Sequence, residues 1–165
     1  MTPAIRRGLP EEAAQLRALA RRSKAYWPYS AEFLALVEPM LQLEPEDVAA
    51  HEVWVLDVDG VVGGWHRVTL NGERAELEDL WLEPRLIGTG LGRLLFEHAV
   101  DVATSARATR LEWDAEPYAE GFYRAMGGEE IGRSQSAAEP GRTLPRMRLA
   151  LAQPGTRDQP GTRKR

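Results

Sequence analysis

From residue 51 onward, apolar and polar positions in the chain alternate with the period of a strand. Val53, Val55 and Asp57 alternate with Trp54, Leu56 and Val58, and Asp59-Gly60 then supplies a tight hairpin turn. A second strand from Val61 to about Leu70 leads to another hairpin signal, Asn71-Gly72, and a third strand covers about Glu73 to Glu83. Two hairpins in succession predict an antiparallel meander.

On both sides of the meander the period is helical. Pro10-Glu11-Glu12 opens a helix with Pro at its first position and acids in its first turn, and Ala13, Leu16, Leu19 and Ala20 form its inner face to about Arg22. Ser30 caps a second helix running to about Leu41, and Glu44-Pro45-Glu46-Asp47 suggests a short helical turn. After the meander, Leu91, Leu94, Leu95, His98, Ala99 and Val102 follow i, i+3, i+4 spacing and predict a helix from Gly90 to Ser105. A strand at Arg110–Trp113, a helix from Ala119 to Met126 and strands near residues 130–134 and 146–151 complete the pattern. The Gln-Pro-Gly-Thr-Arg sequence at 153–157 recurs at 159–163 and has little to bury, so residues 153–165 are expected to form a flexible tail after a single domain over 1–152.

One irregularity interrupts the third strand. Leu77 lies on odd parity, whereas Leu80 and Leu82 lie on even parity, so a regular strand would send Leu77 to the opposite face. A bulge between 77 and 80 would reconcile them, and so would a sheet buried on both faces.

Composition narrows the class. The 43% hydrophobic and 28% charged fractions are those of a soluble globular protein, and a net charge of -4 lacks the basic face of a nucleic-acid binder. No apolar run is long enough to cross a membrane, and the N-terminal residues carry no secretory pattern, so a cytoplasmic protein is expected. There are no cysteines, which removes disulfides, thiolate metal sites and a cysteinyl intermediate; three scattered histidines make no metal constellation.

The candidate chemistry centres on Arg85-Leu86-Ile87-Gly88-Thr89-Gly90-Leu91-Gly92, where a strand turns into a helix. Alternate glycines let the backbone approach a ligand and gather unpaired N–H groups at the positive end of a helix, a geometry suited to phosphate. A nucleoside-triphosphate loop fails because Arg93 stands where Lys is needed. A dinucleotide loop fails because its third glycine would fall at Arg93 and the preceding strands are antiparallel, although Glu112 mimics a ribose-binding acid.

Leu80-Trp81-Leu82-Glu83-Pro84 followed by Arg85-x-x-Gly88-x-Gly90 resembles the acyl-coenzyme A signature of the GNAT superfamily of N-acyltransferases. A second motif of that family is matched by Ala119-x-x-Phe122-Tyr123-x-x-x-Gly127, and the order of elements fits from about Ile5 to Leu151. The resemblance implies an α/β (α+β) fold: a mixed, mostly antiparallel sheet flanked by helices and splayed into a slot beside the third strand of the meander. It implies acetyl-coenzyme A as donor, its pyrophosphate on the N–H groups of Ile87, Gly88, Thr89, Gly90, Leu91 and Gly92, with Arg85 in the same loop. Leu80, Trp81 and Leu82 would pair with the pantetheine arm as an added strand, and Tyr118 and Phe122 would line it.

By the same resemblance Tyr123 stands near the thioester sulfur as proton donor, and Glu78, with Glu76 next, supplies a carboxylate for base work. His66 is a rival base. Tyr26, Trp27, Tyr29, Trp65 and His66 would frame the acceptor, and Arg142 and Arg146 could reach an anionic group on it. Two departures stand out: the family often places Asn just before the second motif, where Tyr118 stands here, and Gly127-Gly128 replaces its Gly-Phe ending. The expected reaction is direct acetyl transfer to a primary amine in a ternary complex, the alternative a noncatalytic acyl-coenzyme A sensor. Small molecules and peptides both stay open as acceptors, as does a homodimer; nucleic acid and membrane are not expected partners.

Overall fold

The computed structural model describes residues 1–153; the rest of the repeated tail lies outside them. The chain runs β1 (Pro3–Arg7), α1 (Ala13–Ala25), α2 (Ala31–Val37), α3 (Pro45–Ala50), β2 (Glu52–Val58), β3 (Val61–Asn71) and β4 (Arg74–Leu82). Then follow α4 (Leu91–Ser105), β5 (Arg110–Asp114), α5 (Glu120–Ala125), β6 (Glu129–Gln135) and β7 (Thr143–Ala150). The strands form one seven-stranded sheet in the order β1-β2-β3-β4-β5-β7-β6, antiparallel except for β4 against β5. This is the mixed fold the resemblance implies, with β2–β4 as the meander the pattern predicts.

The local causes are those read from the chain. Asp59 and Gly60 both take positive φ in the first hairpin, and Asp57 Oδ1 accepts from Gly60 N–H at 2.7 Å. Ser30 caps α2 by accepting from Phe33 N–H at 3.1 Å. The helix starting at Ser30 is shorter than the periodicity implies, because Pro39 converts its last turn to a 3-10 turn over Glu38–Met40.

Helices cover both faces. On one, α1 places Leu16 and Leu19 against Val53, Val55 and Trp65. On the other, Phe96 and Ala99 of α4 meet Leu77, Leu111, Trp113 and Tyr123. Trp113 and Phe96 are each 1% exposed, and burying one such ring contributes about 2–3 kcal/mol of transfer free energy.

Two irregularities shape the sheet around β4. Arg67 pairs with Asp79 and the next residue, Val68, pairs with Leu77, so Glu78 is an extra residue without a partner on β3. That β-bulge reconciles the parity, since Leu77 joins the α4 core and Leu80 packs against the same core. The second irregularity is divergence. β4 pairs with β5 only through Arg74–Arg110, Ala75–Leu111 and Glu76–Glu112, and beyond Glu76 the two strands separate. β5 continues along β7, through Trp113–Met147 and Asp114–Arg146. The sheet therefore opens into a slot between the upper half of β4 and the end of β5.

Candidate active site

A cavity of about 430 Å³ occupies the mouth of this slot. Leu80, Trp81 and Leu82 form one wall, and Ile87, Gly88, Gly90, Gly92 and Arg93 form the floor. Tyr118, Ala119, Phe122, Tyr123 and Met126 form the opposite wall, and Ser23, Trp27 and Glu116 close the far end. Such a volume, mostly apolar with a few directed polar groups, is typical of a small-molecule site.

The floor is a set of unspent donors. Gly88 and Gly90 have φ of 82° and 89°, the left-handed region that disfavours any Cβ. The first bond of α4 runs from Leu94 N–H to Gly90 O at 3.3 Å. The N–H groups of Leu91, Gly92 and Arg93 precede that bond and have no acceptor among the described residues. Ile87 and Thr89 are different, because their N–H groups are bound to Pro84 O (3.2 Å) and Leu86 O (3.3 Å). The donor set is thus narrower than the resemblance implies and reaches one residue further, to Arg93. The Thr89 hydroxyl also turns inward, donating to Leu86 O at 2.6 Å, and Arg85 is exposed outside the cavity. Leu91 is 5% exposed and belongs to the core under the loop.

The strand wall offers a second set. Glu83 N–H donates to Gly63 O at 2.8 Å, so alternation along the β3–β4 ladder turns the backbone groups of Trp81 toward β3 and those of Leu80 and Leu82 toward the slot. Of the three residues expected to pair with an extended ligand, two have backbone groups free to do so. Gly92 keeps the floor thin there: a Cβ would stand 3.1 Å from Leu82 Cδ1 and 3.6 Å from Phe122. A left-handed cradle with nothing beside it, a row of N–H groups and an unpaired strand edge together fit a long ligand carrying a pyrophosphate and an amide-containing arm.

Tyr123 sits at the junction. Its ring is packed by Phe122 at 5.1 Å, Trp113 at 5.2 Å and Phe96 at 5.8 Å, while its hydroxyl makes no hydrogen bond to a described residue. Burial raises its pKa, and the charges of Glu116 and Asp79 raise it further, so the hydroxyl stays protonated at neutral pH.

The far end is a polar cluster that the sequence alone does not reveal. Glu116 accepts from the Lys24 ammonium, from the Tyr29 hydroxyl and, at 3.3 Å, from Tyr118 N–H. Arg142 donates to the Tyr29 hydroxyl at 2.9 Å and lies over the Phe33 ring at 4.5 Å. Trp27 stacks on Tyr118 at 5.5 Å and 11°. Glu116-Pro117 marks a turn at a strand end in the sequence, but nothing there pairs it with Lys24, 92 residues away.

The remaining expected residues divide. Trp27 and Tyr118 line the cavity, and Tyr29 touches it through Glu116. Tyr26 is half exposed and packs only edge-on against Trp27. Trp65 lies in the α1 core, its indole N–H donating to Leu16 O at 2.8 Å, and frames no acceptor. His66 is fully buried on the other side of the sheet, with Nε2 2.9 Å from His98 Nδ1. Burial and the neighbouring His98 push its pKa down to about 3. Neither residue lines the cavity. Glu76 and Glu78 also lie outside its lining. Glu76 is held bidentately by Arg146, with Oε2 at 2.6 Å. Glu78 on the bulge has an exposed side chain, and desolvation by the surrounding strand surface, then the charge of Glu76, raises its pKa. Among the described residues no cluster of His, Asp and Glu could hold a metal, and no helix is long and apolar enough to cross a membrane.

A splayed sheet whose slot carries a backbone anion cradle, an open strand edge and a buried phenol defines an acyl-transfer domain. The chain belongs to the acetyltransferase (GNAT) family, whose model matches residues 14–127. It is 34% identical over 137 residues to the peptidyl-lysine N-acetyltransferase YjaB of Salmonella typhimurium, covering 79% of this chain and 86% of that one. A GCN5-related N-acetyltransferase from Rhodopseudomonas palustris shares its fold with a TM-score of 0.77 at 22% identity, covering 92% of this chain and 97% of the other. The PaiA N-acetyltransferase of Thermoplasma acidophilum, solved with coenzyme A, shares it at 0.71 and 17% identity, over 92% and 100%. The chain is an N-acetyltransferase, and acetyl-coenzyme A is its acyl donor.

Proposed function

We propose that the protein acetylates the side-chain amine of a lysine presented by a peptide, by direct attack in a ternary complex in the cytoplasm. The observation that carries the reading is the unpartnered Tyr123 hydroxyl, buried where the strand edge, the glycine floor and the Glu116 cluster converge. The donor contributes a thioester carbonyl. The N–H groups of Gly88, Gly90, Leu91, Gly92 and Arg93 bind its pyrophosphate, and the edge at Leu80 and Leu82 orients its arm.

Tyr123 stays protonated at neutral pH and supplies a proton to the departing sulfur. Glu78 takes the proton of the incoming amine, through water, because its raised pKa gives it more proton affinity than an ordinary exposed carboxylate. Glu76 does not share the task, since Arg146 holds both of its oxygens. The aromatic pair Trp27 and Tyr118 flanks the entry for the aliphatic stem of lysine. A peptide lysine is favoured over a small amine by the 34% identity to a peptidyl-lysine N-acetyltransferase.

The test is a panel of lysine-containing peptides and free amines with acetyl-coenzyme A, read by mass spectrometry of each product. Acetyl groups are expected on lysine Nε of peptides. Acetylation confined to free amines or to peptide N-termini would remove the acceptor assignment while leaving the acetyltransferase in place.

A further inference from the structure

Lysine is scarce in this chain. Lys24 and Lys164 are its two lysines among twenty-one basic residues. Lys24 lies at the end of α1, 8% exposed, with its ammonium on Glu116 Oε2 and 4.8 Å from the Tyr29 ring. The carboxylate it touches lines the cavity, as do Ser23 and Trp27 beside it on the same helix end. Glu116 and Tyr123 line the same cavity. Lys24 itself stands just outside the lining, one contact behind Glu116, so a primary amine is stationed beside the cavity of an enzyme that acetylates primary amines.

From this juxtaposition of Lys24, Glu116 and Tyr123 we infer that Lys24 is an intramolecular acceptor, so that the enzyme acetylates its own α1. The Lys24 ammonium first passes a proton to the Glu116 carboxylate, which already accepts a hydrogen bond from it. The freed Nζ lone pair forms an N–C bond to the acetyl carbonyl carbon, and the thioester C–S bond breaks with its electron pair leaving on sulfur. Tyr123 protonates the sulfur, and the second proton lost by nitrogen restores Tyr123 through solvent. The products are Nε-acetyl-Lys24, a free thiol and one proton released through Glu116.

The product state differs from the starting one in charge at a defined place. Acetylation removes the cation from Glu116 and leaves Tyr29 and the Tyr118 N–H as its donors. The cluster of Lys24, Glu116 and Arg142 thereby falls from one net positive charge to none, which lessens its repulsion of an incoming ammonium.

The experiment needs only the protein and acetyl-coenzyme A. Site-resolved mass spectrometry over time is expected to show acetyl on Lys24 well ahead of Lys164, which serves as the internal comparison for chemical acetylation. The Lys24 rate should be unchanged on tenfold dilution of the protein. Glu116→Gln should slow it about tenfold or more, and Lys24→Arg should leave position 24 unmodified. An equal rate at the two lysines, or a rate that falls with dilution, would overturn the proposal. A second measurement uses no donor at all. Protein labelled with ¹⁵N-lysine should give a Lys24 ammonium resonance that shifts in Glu116→Gln, and a resonance indifferent to that change would remove the contact on which the step depends. Because the acceptor is part of the chain, the outcome is independent of whether peptide lysines are substrates.

Discussion

Glu76 and Glu112 stand opposite each other on the last parallel rung between β4 and β5, and the guanidinium of Arg146 holds both. Glu112 is 6% exposed and also meets Arg110 at 3.1 Å and Arg148 at 3.4 Å. Two facing carboxylates are kept together by cations from the neighbouring strand at the point where the sheet splits. Arg146→Met should therefore leave them repelling each other and destabilise the fold by about 1–2 kcal/mol, read as a lower urea midpoint. A midpoint equal to that of the unsubstituted protein would show that Arg110 and Arg148 suffice.

Tyr123→Phe removes a hydroxyl that bonds to no described residue, and the ring packing at 5.1–5.8 Å stays. Stability should hold while kcat falls about a hundredfold, measured as release of free thiol with a lysine peptide. An unchanged kcat would take the proton-donor role from Tyr123.

Gly90→Ala tests the cradle without steric contact. No atom lies within 4 Å of the added Cβ, so the cost is the φ of 89° alone. Forcing a side chain into that region costs about 1–2 kcal/mol, and calorimetric titration should show acetyl-coenzyme A binding weakened by about tenfold as the loop relaxes. Gly60, at φ 83° in a hairpin remote from the cavity, is the control whose alanine variant should bind normally.

The His66–His98 pair sets an acid limit to stability. His66 sits far below its unfolded pKa of about 6.5, pushed down by burial and by His98; His98 is lowered as well, by burial. A depressed histidine means that the unfolded chain binds the proton first. The stabilisation is complete above the unfolded pKa and lost as pH falls toward the folded value of about 3. Urea unfolding between pH 7 and pH 4.5 should show a decline that His66→Leu flattens, and an equally steep decline in that variant would place the titration elsewhere.

Glu78 has the opposite sign. Its pKa is raised, by burial first and by the charge of Glu76 second, so the folded state favours the protonated carboxyl. That contribution is present below the unfolded pKa and is lost as pH rises through the folded one. Glu78→Gln should thus be slightly more stable than the unsubstituted protein at pH 7, an advantage that disappears as pH drops through the carboxylate range. Its acetylation rate should fall and lose the acidic limb of the pH profile; a limb that persists would assign the base to another group.

What was legible in the chain follows the range of the interactions. The alternation at Val53–Val58, the Asp59-Gly60 turn and the Ser30 cap are local, and each appears in the fold where the sequence puts it. The bulge is legible as a parity conflict because β4 must feed one core from both of its halves. The glycine floor is legible because left-handed backbone leaves glycine in the sequence. The polar far end of the cavity is not. Trp65 and Trp27 look alike in a sequence, and only packing sends one to the α1 core and the other to the cavity. Lys24, Tyr29, Glu116 and Arg142 come from α1, the loop after it, the turn after β5 and the β6–β7 connection, so no spacing rule joins them.

The unpaired Glu78 also divides β4 mechanically. Below it, Arg74–Glu76 are bound on both edges, by β3 and by β5. Above it, the strand is tethered along β3 alone, and the backbone groups of Leu80 and Leu82 face the open slot. Backbone protons in the two halves should therefore exchange with solvent on different clocks, the lower half opening only with the whole sheet and the upper half breathing freely. A donor threaded into the slot would supply the missing edge, and the strand would then exchange as one piece from end to end.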